Sequence, residues 1–304
     1  MIDRSVTVVV DAAKCVGCEA CLQVCPSETL AMIDGKAVVT GQESLGCGHC
    51  AAVCPTEAIH VKALDNAVLD FKTFSHAPHW LPPGEFPLDE LVRLMRSRRS
   101  CRNFLDRAIP SDMLEDLAKI GQTAPSGSNC QAWTFTILST RTAVRQLSEQ
   151  VGIYFQGLNR LAEKQFLRSA LKWIGRSELD FYYRNYYTSI RDGIQDWQRT
   201  GRDRLFHDAP AVILVGGRSG AACPQEDALL AVQNMLLGAH AMGLGTCLIG
   251  FVVAAIQRAS SLKDFLNIPR DESIYATIAV GFPDEHYHRL PGRKSAPVRM
   301  WSGT

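Results

Sequence analysis

Seven of the eleven cysteines in this 304-residue chain lie between Cys15 and Cys54, at short and regular intervals. They form two runs, Cys15-x-x-Cys18-x-x-Cys21-x-x-x-Cys25-Pro26 and Cys47-x-x-Cys50-x-x-x-Cys54-Pro55. Thiolates at two-residue intervals let one tight loop wrap three sulfurs around an iron–sulfur cube, and the cysteine before proline reaches a neighbouring cube. A zinc site is the alternative, but zinc takes four ligands, usually as separated Cys-x-x-Cys pairs. The longer run exceeds that pattern, so the spacing predicts iron–sulfur clusters.

Roughly the first 65 residues resemble a bacterial two-cluster ferredoxin. The resemblance implies two ligand sets, the first Cys15, Cys18, Cys21 and Cys54, and the second Cys25, Cys47 and Cys50. Ferredoxins of this kind have a further cysteine three residues before Cys47, where this chain has Ser44. Three outcomes stay open for the second site: a four-iron cluster with a serine or water ligand, a three-iron cluster, or no cluster.

A group of guanidinium side chains follows a helical pattern that begins at Leu88. Arg98, Arg99 and Arg102 surround Ser100 in the sequence. Guanidinium groups suit phosphate because their contacts are bidentate and charge-assisted, although a solvated basic face is the alternative. Three further stretches favour a bound cofactor. Pro125-Ser126-x-x-Asn129-x-Gln131 offers side-chain hydrogen bonds, and Gly243-Leu244-Gly245-Thr246 through Gly250 offers backbone amides that a ligand can approach closely. Arg289-x-x-x-Arg293-Lys294 offers more cations.

From about Leu88 to the C-terminus the chain resembles the nitroreductase family of FMN enzymes. The matching stretches are Arg98-Arg99-Ser100-x-Arg102-x-Phe104, Ala124-Pro125-Ser126-Gly127-x-Asn129-x-Gln131-x-Trp133 and Gly243-Leu244-Gly245-Thr246-Cys247-Leu248-Ile249-Gly250. The resemblance implies an intertwined homodimer with one FMN in each subunit interface. It also implies three sets of FMN contacts. The phosphate and the pyrimidine edge of the ring would be bound by Arg98, Ser100, Arg102, Arg293 and Lys294. The ribityl chain or the ring would contact Ser126, Asn129 and Gln131, and flavin N5 would face the N–H groups around Ile249 and Gly250. Arg99 and Pro125 lie inside the same motifs.

Aromatic residues are concentrated between Tyr154 and Phe206, in a stretch with a helical pattern. Such a stretch usually forms core or dimer surface. In the nitroreductase family the corresponding insertion covers the flavin, which makes four side chains candidates for the acceptor pocket: Tyr182, Tyr183, Tyr186 and Tyr187.

Elements that would position these residues can be read from the hydrophobic pattern. Strands are expected at Trp133 to Leu138, Ala211 to Val215 and Ile274 to Val280, with a mostly apolar helix from Ala228 to Ala241 and a glycine-rich turn at 243–250. The fold class expected is α+β: a nitroreductase-like α/β domain, with a mixed sheet flanked by helices, behind a small ferredoxin-like domain. We expect an iron–sulfur domain at 1–70, a Pro-rich semi-rigid linker at 71–87 and an FMN domain at 88–304.

Charge and composition narrow the classes of partner. The net charge of +1 gives no electrostatic reason to expect nucleic acid or an anionic membrane surface. There is no run of 18 apolar residues and no signal-peptide pattern at the start, and the cysteines follow ligand spacing instead of a disulfide framework. We therefore expect a cytoplasmic protein.

Together these features predict an oxidoreductase that takes electrons through iron–sulfur clusters to FMN. The expected acceptor is a nitroaromatic, a quinone or an activated alkene, and the expected donor is reduced ferredoxin, reduced flavodoxin or NAD(P)H. One alternative is an electron-transfer or redox-sensing protein that turns over no small molecule. Another is an enzyme that consumes FMN, or that acts on a halogenated or ring-reduced natural product.

Overall fold

The computed structural model describes residues 3–303. The N-terminal part contains two antiparallel strand pairs. β1 (Val8–Val10) pairs with β4 (Ile59–Val61), and β2 (Leu30–Ile33) pairs with β3 (Lys36–Val39). The β2–β3 hairpin separates the two cysteine runs, each of which enters one short helix: α1 (Ala20–Gln23) and α2 (His49–Ala52). This arrangement repeats one loop-and-helix unit twice around a small shared core.

Residues 71–87 contain no helix or strand, yet the beginning of this segment is fixed to the second part of the chain. The fixing point is Asp116, a buried residue in α4 (Ser111–Gln122). Its carboxylate accepts hydrogen bonds from the N–H groups of Lys72 (3.0 Å) and Thr73 (2.7 Å) and from the Thr73 hydroxyl (2.6 Å). Burial alone would raise the pKa of Asp116, but these bonds outweigh burial and lower it, which keeps the carboxylate charged.

The larger part of the chain is built on a four-stranded sheet in the order β5-β6-β8-β7. All three pairings between these strands are antiparallel, and a parallel bridge joins Ser100 to Thr246 at the β7 edge. The strands are β5 (Trp133–Leu138), β6 (Ala211–Arg218), β7 (Gly245–Leu248) and β8 (Glu272–Gly281). The predicted glycine-rich turn at 243–250 therefore contains a strand, and its last residue begins a helix.

Helices cover both faces of this sheet, which explains why β6 is apolar along its whole length. On one face, Ile213 and Val215 pack against α4 and α9 (Pro224–Ala241). On the other, Val212 and Leu214 pack against α5 (Arg141–Ala162) and α10 (Gly250–Ile256). Helices on both sides of a sheet, behind a small domain of two strand pairs, confirm the predicted α+β class. The sheet was predicted to be mixed, but its strand pairings are antiparallel and the parallel contact is the isolated Ser100–Thr246 bridge.

Five further helices complete the fold. The aromatic stretch after Tyr154 forms the end of α5 and three more helices, as its pattern predicted. The remaining helices are α3 (Leu88–Ser97), α6 (Gln165–Trp173), α7 (Glu178–Asn185), α8 (Tyr187–Thr200) and α11 (Ser260–Phe265).

Candidate flavin and iron–sulfur site

A cavity of about 330 Å³ in the N-terminal part is lined by four cysteines. They are the four expected at the first cluster: Cys15, Cys18, Cys21 and Cys54. Burial raises the pKa of Cys21, and the charges of the other three thiols act on it in the same direction, because the four sulfurs converge on one space. Such a convergence of sulfurs is unfavourable unless a cation or a metal cluster occupies their centre.

A second cavity, of about 340 Å³, is lined by the three expected cysteines of the other set and by Ser44. Burial raises the pKa of Cys50, and the charges of Cys25 and Cys47 add to this rise. Ser44 is buried with 6% of its surface exposed, and its hydroxyl oxygen accepts a hydrogen bond from the Gly46 N–H at 3.1 Å. The crossed ligand pattern implied by the ferredoxin resemblance is thus present, with serine at the eighth position.

Backbone N–H groups point at several of the sulfurs. The N–H of Ala37 donates to Cys15 Sγ (3.4 Å) and that of Ala58 to Cys54 Sγ (3.2 Å). The pKa of the Cys15 thiol is lowered, first by the bond from Ala37. Hydrogen bonds of this kind stabilise a thiolate, which is the form that binds iron. The donor set and the cavities therefore fit iron–sulfur clusters.

Within residues 3–303, no three His, Cys, Asp or Glu side chains are arranged to hold a single metal ion. The thiols instead lie around two cavities, each lined by cysteines from both runs. This grouping fits the crossed iron–sulfur arrangement that the spacing predicted.

The guanidinium group of Arg98 lies where α3 ends, in an unfavourable environment for a cation. Burial lowers its pKa first, and the charges of Arg99 and Arg293 lower it further. The C-terminal segment thus brings Arg293 towards Arg98, as the predicted phosphate site requires. Partly buried cations that repel one another are stabilised by an anion such as phosphate. Lys294 is the next residue on the same exposed segment.

The backbone that follows Arg98 is held against β7. Ser100 forms a bridge to Thr246, and the Cys101 N–H donates to the Thr246 carbonyl at 2.9 Å. Gly245 makes this approach possible, since a Cβ there would lie 2.7 Å from Cys101 Cβ. Glu285 fixes the next residue by accepting the Arg102 N–H at 3.0 Å, which leaves the Arg102 side chain at the edge of a polar cavity. Two motifs far apart in sequence thereby form one surface.

The loop that contains Pro125, Ser126, Asn129 and Gln131 differs from its predicted role in one respect. The Asn129 side-chain N–H₂ donates to the carbonyls of Leu45 (3.3 Å) and Gly46 (3.1 Å), and the Gln131 amide donates to Asn129 Oδ1 (3.0 Å). Both amides, expected at a flavin, therefore bind in this structure to the second cysteine loop or to each other. Ser126 Oγ accepts the Gln131 N–H at 3.0 Å and so shapes the loop. Pro125 is exposed at its start.

The two N–H donors expected near flavin N5 lie in different environments. The Ile249 N–H donates to the Thr277 carbonyl at 2.9 Å, so the prediction that it faces a ligand is wrong: the sheet uses it. Gly250 is the first residue of α10, and the N–H groups of a first helical turn have no acceptor within the helix. A Cβ at Gly250 would meet no atom within 4 Å, so this amide borders open space.

The four candidate tyrosines separate into two kinds of environment. Tyr182 donates to Asn159 Oδ1 (2.6 Å), Tyr187 donates to Glu163 (2.8 Å), and Tyr183 packs beneath the Arg168 guanidinium. Tyr186 instead packs edge-on against Phe251, the residue after Gly250, with ring centroids 5.7 Å apart. Among these four, Tyr186 is therefore the one adjacent to the expected flavin surface.

Several residues that shape the site escaped the sequence analysis. Asp227 is buried in α9 and accepts the Gly127 N–H at 2.8 Å, while its carbonyl accepts the Trp133 indole N–H at 3.1 Å. His240, in the last turn of α9, lies near Arg98, and Glu285 and Phe251 hold neighbouring segments. The sequence contained one signal for Asp227, because it is an acidic residue at the start of an apolar helix. It contained no signal for His240, Glu285 or Phe251.

A helix-flanked sheet with a cation cluster near one edge, joined to a domain that has two thiol-lined cavities, is typical of a flavo-iron–sulfur class of oxidoreductase. Comparison with known proteins agrees: the Nitroreductase family model matches residues 95–282 and the 4Fe-4S dicluster domain model matches residues 7–55. The chain therefore belongs to the nitroreductase family, joined to an N-terminal 4Fe-4S dicluster domain. It is an oxidoreductase of the nitroreductase type.

Individual relatives support this assignment. The chain is 38% identical over 212 residues to an iodotyrosine deiodinase of Haliscomenobacter hydrossis, covering 64% of this chain and 80% of the relative. It is 27% identical over 217 residues to a chloronitrobenzene nitroreductase of Comamonas testosteroni, covering 67% and 89%. A nitroreductase from Bacteroides fragilis, solved with bound FMN, has the same fold, with a TM-score of 0.50, 20% identity and coverage of 68% and 95%.

No helix among residues 3–303 combines the length and the apolar character needed to cross a membrane.

Proposed function

We propose that this protein receives electrons through its N-terminal iron–sulfur domain and uses them to reduce an organic acceptor at FMN. When bound, the clusters supply one-electron transfer and the FMN supplies two-electron transfer to the acceptor. The remaining chemistry belongs to the chain, whose residues bind these groups, orient them and hold the two domains together.

The observation that carries the proposal is the contact between the Asn129 amide and the carbonyls of Leu45 and Gly46. Leu45 and Gly46 lie between Ser44 and Cys47, so they line the second thiol cavity. Asn129 belongs to the loop that nitroreductases resembling this chain place near their flavin. A single side chain thus joins the wall of one redox site to the wall of the other, which favours electron transfer between them.

The linker supports the same route. Its first residues are bound to buried Asp116, so the cluster domain is tethered beside α4 and does not diffuse freely. We propose a cluster domain at residues 1–70, a linker at 71–87 and the flavin domain from residue 88 onwards.

For the flavin itself, we assign the phosphate to Arg98 and Arg293, with Arg99, Arg102 and Lys294 adding positive charge nearby. The lowered pKa of Arg98 supports this assignment, because an anion would relieve the repulsion between these cations. The Gly250 N–H is the donor we assign to flavin N5, where a hydrogen bond steadies the reduced, anionic ring.

The acceptor would enter beside Tyr186 and Phe251. Nitroaromatics, quinones and activated alkenes all suit a flat, aromatic-lined site, and the relatives' names include a nitroreductase and a deiodinase. As donor we propose a low-potential one-electron carrier such as reduced ferredoxin or flavodoxin, with NAD(P)H as the competing possibility. Turnover with each would separate them.

A homodimer is the assembly we propose. The apolar residues of α3 are exposed in the single chain: Leu88 by 70%, Val92 by 41% and Met95 by 44%. Met300 and Trp301, near the C-terminus, are also largely exposed. Apolar surface of this extent on two separate segments is typical of a subunit interface.

The test compares wild type with the double variant C15A/C18A, prepared without oxygen and loaded with FMN. A reduced one-electron donor should support acceptor reduction by the wild type and lose this ability with the variant. Flavin reduced chemically should be reoxidised by the acceptor at the same rate in both. Cys223→Ala, at an exposed cysteine outside the runs, is the matched control. Equal rates of NADH-driven turnover in wild type and variant, with one-electron donors inactive, would contradict the proposed route.

A further inference from the structure

Two independent observations place Ser44 where a cluster ligand is expected. In sequence, Ser44-x-x-Cys47-x-x-Cys50-x-x-x-Cys54 repeats the spacing of Cys15-x-x-Cys18-x-x-Cys21-x-x-x-Cys25, with one oxygen in place of one sulfur. In space, Ser44 lines the cavity formed by the second set of thiols. The corresponding cavity of the first site is lined by four cysteines, whereas this one is lined by three cysteines and Ser44.

The hydroxyl oxygen also receives the same backbone support as the sulfurs. Ser44 Oγ accepts the Gly46 N–H at 3.1 Å, just as Cys15 Sγ, at the corresponding position of the first run, accepts the Ala37 N–H at 3.4 Å. The second-site sulfur of Cys25 likewise accepts the Thr29 N–H at 3.3 Å. An N–H donor stabilises negative charge on whichever atom accepts its hydrogen bond.

The burial of Ser44 shows that its position is fixed by the surrounding structure. Only 6% of the Ser44 surface is exposed, and its backbone N–H is held by the Arg4 carbonyl at 2.9 Å. The residue is therefore fixed in position. A serine kept merely for its small size would not need to be buried and fixed at the wall of a thiol-lined cavity.

We infer that Ser44 is the fourth protein ligand of the second cluster, which makes that cluster a four-iron centre with three cysteine ligands and one serine ligand. On binding iron the serine O–H bond breaks, an O–Fe bond forms and the proton passes to solvent, with no change in oxidation state, as for other ligands that bind metals after losing a proton.

The serine corner of this cluster would also be the one nearest the flavin domain. Ser44, Leu45 and Gly46 line a groove between the domains, whose opposite wall includes Asn129 and Gln131. The iron bound to Ser44 would therefore face the loop joined to the flavin domain. This orientation rests on the proposed electron route, whereas the ligation by Ser44 does not.

The experiment measures iron and sulfide per chain, with electron paramagnetic resonance and redox titration, on anaerobically reconstituted full-length protein. Wild type should hold about eight iron and eight sulfide ions, as two four-iron clusters. Ser44→Ala should lose about one iron and show the signal of an oxidised three-iron cluster. Ser44→Cys should keep eight iron ions and shift the potential of the second cluster alone. Ser27→Ala, at another serine that lines the same cavity, should match wild type.

The inference is overturned if Ser44→Ala keeps a four-iron second cluster with an unchanged spectrum and potential, or if wild type itself holds a three-iron cluster or an empty second site. Should Ser44→Ala lose the second cluster altogether, Ser44→Cys decides, because a spectrum and potential identical to wild type would exclude oxygen ligation. All these readouts are independent of turnover. A failure of serine ligation alone, with a second cluster still present, would leave the proposed electron route untouched, whereas an empty second site would also count against that route.

Discussion

The side-chain amide of Asn129 donates a hydrogen bond to the carbonyl of Gly46 at 3.1 Å, across the boundary between the cluster domain and the flavin domain. The same amide donates to Leu45, and its oxygen accepts the Gln131 amide. Asn129 adopts a left-handed backbone conformation, with φ of 52°. This conformation carries a cost for most residues but less for asparagine, which suits a position where the loop turns sharply towards its partner.

The contact predicts the effect of Asn129→Ala. Losing both hydrogen bonds should weaken the attachment of the cluster loop by about 1–2 kcal/mol, and so lower the equilibrium constant for its docking roughly 5- to 30-fold. Stopped-flow measurement should show slower FMN reduction by a one-electron donor, with the FMN content unchanged. Asn234→Ala, which removes an exposed amide bonded to Thr123, is the matched control. An unchanged rate would show that this contact does not maintain the electron path.

The repulsion around Arg98 predicts how its replacement affects flavin binding. Arg98→Ala should weaken FMN binding by about 1.5–3 kcal/mol, because a charge-assisted bond to phosphate is lost. Riboflavin, which lacks the phosphate, should bind almost equally to variant and wild type. Fluorescence titration measures both. Arg96→Ala, at an exposed arginine in the last turn of α3, serves as control. Equal weakening for both flavins would place Arg98 at the ring and not at the phosphate.

Gly250 permits a test of the amide assigned to flavin N5. Proline is tolerated at the first position of a helix, and Ile249 before it lies outside the helical region that a following proline disfavours, with φ of −116° and ψ of 89°. Gly250→Pro should therefore fold but lack the N–H, which makes the flavin potential about 30–60 mV more negative. Gly250→Ala keeps the N–H and should retain the wild-type potential. A potential that is the same in all three proteins would move the N5 donor elsewhere.

His240 predicts a dependence of stability on pH. Its pKa is lowered, first by burial and then by the Arg98 charge. The unfolded chain then binds the proton more readily than the folded chain, so the free energy of unfolding falls as pH drops below about 6.5. In flavin-free protein, urea unfolding between pH 7.5 and 5.5 should show a smaller loss for His240→Gln than for wild type. His60→Gln, at an exposed strand position, should follow wild type. Bound FMN should reduce the effect by offsetting the Arg98 charge.

The tyrosines predict which side chain touches the acceptor. Tyr186→Ala should raise KM for aromatic acceptors, because the ring packs on Phe251 beside Gly250. Tyr187→Phe removes a solvent-exposed hydrogen bond to Glu163 and should lower stability only slightly, without changing the order of preferred acceptors. Steady-state assays over a panel of nitroaromatics and quinones test both. A change in preference caused by Tyr187→Phe alone would reverse this assignment.

The sequence was sufficient wherever the chemistry depends on local spacing. The two cysteine runs identify ligands because the loop that wraps a cluster is itself a short segment. The core strands were predicted for a similar reason: Val212 and Leu214 alternate with Ile213 and Val215 between two covered faces, so the whole run had to be apolar.

Contacts between distant segments could not be obtained in this way. Asn129 and Gln131 have the composition expected of flavin ligands, and only the docking of the two domains directs Asn129 to Leu45 and Gly46. The strand at Gly245–Leu248 was hidden because its pairing partner, β8, lies about 30 residues away. The same pairing leads to the use of the Ile249 N–H by Thr277.

The sequence by itself thus determined the α+β class and predicted iron–sulfur clusters and a phosphate site, since cysteine spacing, a guanidinium cluster and hydrophobic periodicity are properties of neighbouring residues. The prediction of FMN came only from the family resemblance. Only the tertiary structure decided which amide borders open space, which tyrosine lies beside it, and that Ser44 lines the same cavity as the second set of thiols. Those outcomes depend on backbone groups brought together from segments far apart in the chain, and a linear pattern carries no record of how such groups pair.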